Sequence, residues 1–269
     1  KNMVICYGRG IGILSAPIGQ IITTGTDFMS QNSWSAESYI FQGRGLAFRD
    51  HLHHLYGIRT DGELRAEMVK IQFLGTGNAF CPNDRLHSLV LIDEHILVDA
   101  PPTIVPQLRR AGVQPSDICD LLITHWHGDH TFGLPFLLLE RRYISDREGK
   151  ANLTIYCHEG GGKILQNLCD LAYPDSLTNL PWMNFDESQS GVIGDWKFSR
   201  FEVCHNPSTD PHGYRLEHKD GFVLVHCGDS GPCQNIENLA DEADVMILDL
   251  GIPDFVDSPY HFPSKPLNE

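Results

Sequence analysis

Residues 120–142 read DLLITHWHGDHTFGLPFLLLERR, and His125, His127, Asp129 and His130 fall within six positions directly behind an apolar run. Residues 120–124 have the short apolar pattern of a buried strand, and residues 131–142 have the length and composition of a helix. His125 and His127 leave the strand end two residues apart, so their rings project from one side and can share one ion. Asp129 and His130 lie beyond Gly128, where the chain turns into the helix, and aim at a second position. Neutral imidazoles with carboxylates suit zinc or a similar divalent cation. Closed structural zinc cages favour cysteine, so the cluster points to an open site that does chemistry.

On either side of this segment the chain is built from short apolar runs and punctuated helices. MVKIQFLGTGNAF (68–80) alternates Val69, Ile71 and Phe73 and then breaks at Gly75-Thr76-Gly77, a strand entering a tight turn. SLVLIDEHILVDAPP (88–102) reads as a hairpin about Asp93-Glu94, and PPTIVPQLRRAGV (101–113) as a helix with prolines near its start and Gly112 at its end. Further strands are expected at 153–157, 196–204, 214–218, 222–227 and 244–249, with a helix over 160–172 opened by three glycines. Strands that come first as hairpins and then alternate with helices predict an α/β fold, its sheets covered by helices on their outer faces.

Before residue 67 the texture changes. GRGIGILSAPIGQIITTG (8–25) predicts two short strands about a Pro-Gly turn, and SAESYIFQGRGLAFRDHLHHLYG (35–57) predicts a helix. Residues 1–66 are expected to form an N-terminal extension with too little apolar surface for a core of its own. Such an arm would cover a sheet edge or contribute to a homodimer, while residues 67–269 form the main domain. His51 and His54 stand one helical turn apart, a spacing that a solvated helix face explains.

Thirty-five acidic against twenty basic residues give a net charge of −15, a surface that repels a nucleic-acid backbone unless its bases are gathered. Arg109-Arg110 and Arg141-Arg142 fall on expected helices, where a solvated face accounts for them. The eight cysteines form no C-x-x-C pair, the usage of reduced thiols in the cytoplasm. No apolar run approaches the roughly 20 residues needed to cross a bilayer. The chain is therefore expected to be soluble and cytoplasmic, with no membrane partner, although a first residue Lys1 leaves open whether a leader precedes it.

From about Met68 onward the chain resembles the metallo-β-lactamase superfamily, in its ribonuclease Z-like branch. The resemblance is carried, in order, by FLGTGNAF, LVDAPPT, THWHGDHTFGLP, CHNPSTDPHGYRLE, VHCGDSGPC and PYHFPS. It implies an αββα four-layer sandwich with a metal site at one edge of the packed sheets. Residue by residue, it makes His125, His127 and His205 ligands of one zinc, Asp129 and His130 ligands of a second, and Asp229 a bridge between them. His205 and Asp229 each follow an expected strand, as such roles require. Asp99 is expected to orient a ligand histidine through its free ring nitrogen, and His226 to stand in the same supporting layer. His261 aligns with the family's general-acid histidine.

Two zinc ions in such a cage generate a bound hydroxide at neutral pH, so a hydrolase is expected, with a small phosphodiester as the leading substrate. Hydrolysis of a lactone, β-lactam, thioester or halogenated aryl compound is the alternative, and a non-catalytic metal-binding protein is a third. Two departures bear on this. The family completes its second metal with a histidine after a last strand, and none follows PYHFPSKPLNE, so either the protein continues past Glu269 or the second ion is one ligand short. The basic arm by which ribonuclease Z holds tRNA is also absent, since residues 173–195 contain no lysine or arginine, and Pro101-Pro102 replaces the branch's usual Gly-Glu. With the acidic charge, this sets the expectation against tRNA and for a small-molecule substrate. Trp126, Trp182 and Trp196 are candidates for an apolar pocket beside the metals, with core packing the competing role for at least two.

Overall fold

The computed structural model describes residues 69–82, 85–240, 242–252 and 256–262, together with the backbone of four N-terminal strands, β1 (Met3–Gly8), β2 (Gln20–Ile22), β3 (Glu37–Gln42) and β4 (Gly45–Leu46). One sheet contains β5 (Val69–Gly75), β6 (Leu89–Ile92), β7 (Ile96–Val98), β8 (Asp120–Leu122), β9 (Leu153–Tyr156) and β10 (Met183–Asp186), in the order β10-β9-β8-β7-β6-β5-β3-β4. The other contains β11 (Ser190–Ile193), β12 (Trp196–Glu202), β13 (His212–His218), β14 (Val223–His226) and β15 (Val245–Leu250), in the order β11-β12-β13-β14-β15-β1-β2. Hairpin connections make β5-β6-β7 and β11-β12-β13-β14 antiparallel, whereas β7 through β10 run parallel.

Side-chain alternation sorts the residues into layers. Ile71, Val90, Ile92, Val98 and Leu122 meet Trp196, Phe198, Leu216, Leu224 and Ile247 between the sheets. The opposite registers of the same strands, Leu89, Leu91, Leu97, Leu121 and Ile155, pack on helices α1 (Ile104–Arg110), α3 (Leu134–Glu140) and α4 (Gly161–Ala172). On the far side Val225, Met246 and Leu248 pack on Ile236 of α5 (Gln234–Ala240). Central strands buried on both faces are what parallel pairing under helices demands, and the result is the expected αββα sandwich.

Side-chain hydrogen bonds cross the sandwich at both ends. Trp196 Nε1 donates to Asp93 Oδ2 at 2.8 Å. At the opposite end the Tyr214 hydroxyl, fully buried, shares its single proton between the carbonyls of Ile123 (2.9 Å) and Tyr156 (3.1 Å). Tyr214 therefore ties one sheet to the strand end that leads into the histidine cluster.

Several local expectations change. The segment expected as one helix over 131–142 divides into α2 (Gly128–Thr131) and α3, and runs on into a π-helical turn at Arg141–Ser145. The break is at Gly133, where a side chain would collide with Pro101 O at 1.8 Å, so the helix start lies directly on the Ala100-Pro101 backbone. The helix expected over 35–57 is wrong at residues 37–42, which form strand β3 and pair antiparallel with β5 over 37–41; Tyr39, Ile40 and Phe41 are β-formers and the neighbouring glycines disfavour helix. Residues 11–18 and the histidines at 51 and 54 lie outside the described residues. Arg141 is not on a solvated face: it is fully buried, with its guanidinium donating to the carbonyls of Ile118, Pro115 and Ala151.

The Tyr214 bridge is testable by Tyr214→Phe, which removes one oxygen and takes its hydrogen bond from the carbonyl of Ile123. Denaturant unfolding is expected to show a loss of about 1–3 kcal/mol; an unchanged midpoint would show that the bridge does not hold the sheets.

Candidate metal centre

The cluster is assembled by four strand ends. After β8, Ile123 N donates to Tyr156 O (2.9 Å) and Thr124 N to Asp99 Oδ1 (2.8 Å), which carries the chain out of the sheet and delivers His125 into the interior. His127, with extended backbone, caps α2, and Thr131 Oγ1 returns to its carbonyl at 2.9 Å. Asp129 and His130 lie on the single turn of α2. Ala100 N donates to His130 O at 2.7 Å, fastening that turn to the end of β7. His205 arrives past β12, Asp229 past β14.

All of the residues expected to bind metal are brought together. The ligand-capable atoms of His125, His127, His205 and Asp229 lie within 4.8 Å of one another, and so do those of Asp129, His130 and Asp229. His127 Nδ1 stands 3.0 Å from both His125 Nε2 and His205 Nε2. The far nitrogens are engaged elsewhere: His205 Nδ1 donates to Tyr260 O at 2.9 Å, and His125 Nδ1 lies 3.0 Å from Thr124 Oγ1. Three ring nitrogens facing one point cannot satisfy each other as donors, so the donor set fits a cation at their centre.

Electrostatics divide the cluster in two. Burial, then the charge of His130, holds His125 well below the usual histidine range, and burial lowers His205 as well. Both are therefore neutral and keep their lone pairs. His130 behaves oppositely: burial opposes its charge, but Asp229 and Asp99 outweigh it and raise its pKa well above normal. Its Nδ1 is 2.7 Å from Asp99 Oδ2, while Nε2 faces Asp229 Oδ1 at 3.3 Å and Asp129 Oδ2 at 3.5 Å. Asp99 thus stands where a supporting carboxylate is expected, behind the ring. His226 is buried and pushed down to about 4 by burial; its Nδ1 accepts from Gly228 N at 3.1 Å, one residue before Asp229.

His261 joins the same cluster, its ring 4.8 Å from that of His205. Sequence reasoning missed its partner. Asp249, on β15, is fully buried and reaches His261 Nδ1 at 2.5 Å, and Gly251 leaves the room, since a side chain there would strike both groups. Burial opposes charge on His261, but Asp249 outweighs it and raises the pKa; burial and the charge of Asp229 raise Asp249 in turn. The pair therefore holds a proton between them. A signal for Asp249 was present, because it continues the inward register of Val245 and Ile247, where a carboxylate is out of place.

Other candidates resolve into structure. Trp182 and Trp196 are buried in the core, and an apolar groove of about 480 Å³ lined by Pro102, Val105, Pro106, Phe136 and Tyr143 contains none of the three tryptophans. The glycine-rich entry to α4 is filled by Glu187, whose carboxylate accepts from Gly160 N (3.0 Å) and Gly162 N (2.9 Å). His158, Asp210 and His212 also gather, but the two rings are stacked at 4.6 Å and 24°. Their in-plane lone pairs run side by side rather than converging, so this trio is a carboxylate-linked stack.

Comparison with known proteins agrees with this geometry. Ribonuclease Z of Mycolicibacterium gilvum is 27% identical over 199 residues, covering 67% of this chain and 68% of that protein; ribonuclease Z of Pyrobaculum arsenaticum is 23% identical over 217 residues, covering 71% and 76%. Among solved structures, the metallo-beta-lactamase fold protein YhfI from Bacillus subtilis superposes with a TM-score of 0.60 at 20% identity, covering 73% of this chain and 78% of that one. The short form of human tRNase Z gives 0.58 at 22% identity, covering 72% and 84%. These relatives overturn the expectation against tRNA. Net charge is a sum over the whole surface and does not set the potential at one mouth. No helix among the described residues is long and apolar enough to cross a membrane. The Beta-lactamase superfamily domain profile matches residues 94–265, well over half of the chain, and the protein belongs to that superfamily as a ribonuclease Z-like, metal-dependent hydrolase of metallo-β-lactamase fold.

Proposed function

We propose that the protein is a zinc-dependent phosphodiesterase. The observation that carries this reading is the convergence of His125 Nε2, His127 Nδ1 and His205 Nε2 beside a second group of Asp129 and His130, with Asp229 common to both. His125, His127 and His205 would hold one ion, Asp129 and His130 a second, and Asp229 would serve both. Two ions so placed supply Lewis acidity toward a phosphoryl oxygen and acidify water to a pKa of about 7.

The protein's own groups account for the rest. Asp99 fixes the His130 ring so that Nε2 faces inward, and the Tyr260 carbonyl does the same for His205. The two neutral buried histidines need not lose a proton before they bind. Asp129, on the open side of α2, is placed to orient water at the cluster. His261, held by Asp249, keeps a proton for a departing oxygen, the role of a general acid. Phosphodiesters come ahead of carbonyl substrates because the matched relatives are ribonucleases.

Two measurements test this. With zinc supplied, bis(4-nitrophenyl) phosphate and a tRNA carrying a 3′ extension form the substrate panel, and wild type is expected to cleave at least one. Asp229→Ala is expected to lower the rate by about 10²-fold or more, the scale of losing charge stabilisation in the transition state. Undiminished turnover in Asp229→Ala, or zinc-loaded wild type inert on the whole panel, contradicts the reading. Separately, His261→Ala is expected to cost about 10²–10⁴-fold when the leaving group is an alkoxide and little when it is 4-nitrophenolate, which departs without a proton. Equal losses on both substrates would remove His261 from the acid role.

A further inference from the structure

Two cysteines far apart in the sequence meet beside the candidate metal ligands. Cys204 follows β12 and immediately precedes His205, and Cys233 lies between Asp229 and the start of α5. The fold ties these segments backbone to backbone. Cys204 and Gly231 form an isolated antiparallel bridge, with Gly231 N donating to the Cys204 carbonyl at 2.7 Å and Cys204 N to Ser230 Oγ at 3.1 Å. In that register Cys233 stands diagonally across from Cys204, and the two thiols are within hydrogen-bonding reach of each other. Cys233 Sγ also lies 4.0 Å from the carbonyl of Glu202, which accepts from Asn235 Nδ2 at 2.9 Å.

The two sulfurs differ in access. Cys204 is exposed, whereas Cys233 is buried and packs with Val203, Val225 and Ile236. A thiol that a small oxidant can reach, with a second thiol behind it, is the arrangement of an attacking and a resolving cysteine. It sets the pair apart from Cys157, Cys169 and Cys227, which are buried, and from Cys119, which is exposed but turns its sulfur to the carbonyl of Asp117 at 3.6 Å.

We infer that Cys204 and Cys233 are a redox-modification site, closing to a disulfide with a small-molecule disulfide as the oxidant. Cys204 attacks one sulfur of the oxidant, so that a mixed disulfide forms and one thiol leaves; Cys233 then attacks the Cys204 sulfur and releases the second thiol. The two cysteines give up two electrons and two protons, and the oxidant becomes two thiols. Because the segments are already bridged at Gly231, closure fixes the stretch carrying His205 to the stretch carrying Asp229 without a new chain path. The Cys233 thiol, then burial, pushes the Cys204 thiol up to about 11. Little thiolate is present at neutral pH, so closure is slow, on the order of hours, and not the response of a fast sensor. The inference stands apart from the phosphodiesterase reading.

The test uses native full-length protein, incubated with oxidised glutathione at mildly alkaline pH, alkylated at its free thiols and digested without reduction for mass spectrometry. The expected product is a peptide pair joined through Cys204 and Cys233, which a reductant splits. Any other state of the two thiols, whether alkylated, left as glutathione adducts or joined to other cysteines, overturns the inference. As a second readout, oxidised wild type is expected to unfold at a urea concentration about 1 M higher than the reduced protein, and Cys233→Ser given the same treatment to show no shift. Equal midpoints for the two wild-type forms overturn the claim that the bond fixes the segments.

Discussion

The cluster depends on Asp99. At the end of β7 this residue takes a left-handed backbone conformation, φ 70°, that costs a non-glycine residue about 1–3 kcal/mol. From there its carboxylate accepts from Thr124 N at 2.8 Å, from Thr124 Oγ1 at 3.0 Å and from His130 Nδ1 at 2.7 Å, all buried. Hydrogen bonds to a charged acceptor contribute about 1.5–3 kcal/mol each, enough to offset the strain. One carboxylate thereby sets both ends of the segment from Thr124 to His130, which carries four of the candidate ligands. The hairpin β6-β7 exists in this arrangement to deliver Asp99, just as Tyr214 fixes the carbonyl of Ile123 from the opposing sheet.

Burial then assigns different roles to chemically similar side chains. At His125 and His205 burial outweighs the opposing charge of Asp229, whereas at His130 Asp229 and Asp99 outweigh burial and hold a proton that a cation bound at Nε2 would displace. Carboxylates grip His130 in one half of the cluster, and three imidazoles face one another in the other half. The αββα sandwich supplies the frame: β7, β8, β12 and β14, from two sheets, end at one edge, and the segments that follow them carry Asp99, His125, His205 and Asp229.

Much of this was legible in the sequence, for identifiable reasons. The segment 125–130 stood out because histidine and aspartate crowd into six positions, β5 because Val69, Ile71 and Phe73 alternate, and β6 and β7 because two apolar runs flank the polar Asp93-Glu94 turn. Asp249 was hidden inside the apolar VMILDL, since only the register of β15 reveals that it points inward with Val245 and Ile247. β10 and β11 were not read as strands, because MNFD and SGVI are half-exposed edges without an apolar face. Arg141 defied its composition: an arginine in a basic pair looks solvated, and only the path of the chain around Pro115–Ile118 makes it an internal anchor. The charge argument against tRNA failed for a related reason, being a whole-chain sum applied to one local surface.

The most direct test of the central claim, that three strand ends and one short helix hold a pair of ions about a shared carboxylate, is anomalous diffraction at the zinc edge from crystals of the zinc-loaded protein. The account predicts two peaks on either side of Asp229, about 3.5–4 Å apart as in two-metal hydrolases, one enclosed by His125, His127 and His205 and the other beside Asp129 and His130. No peak among these residues, or zinc bound only at His158, Asp210 and His212, would contradict it.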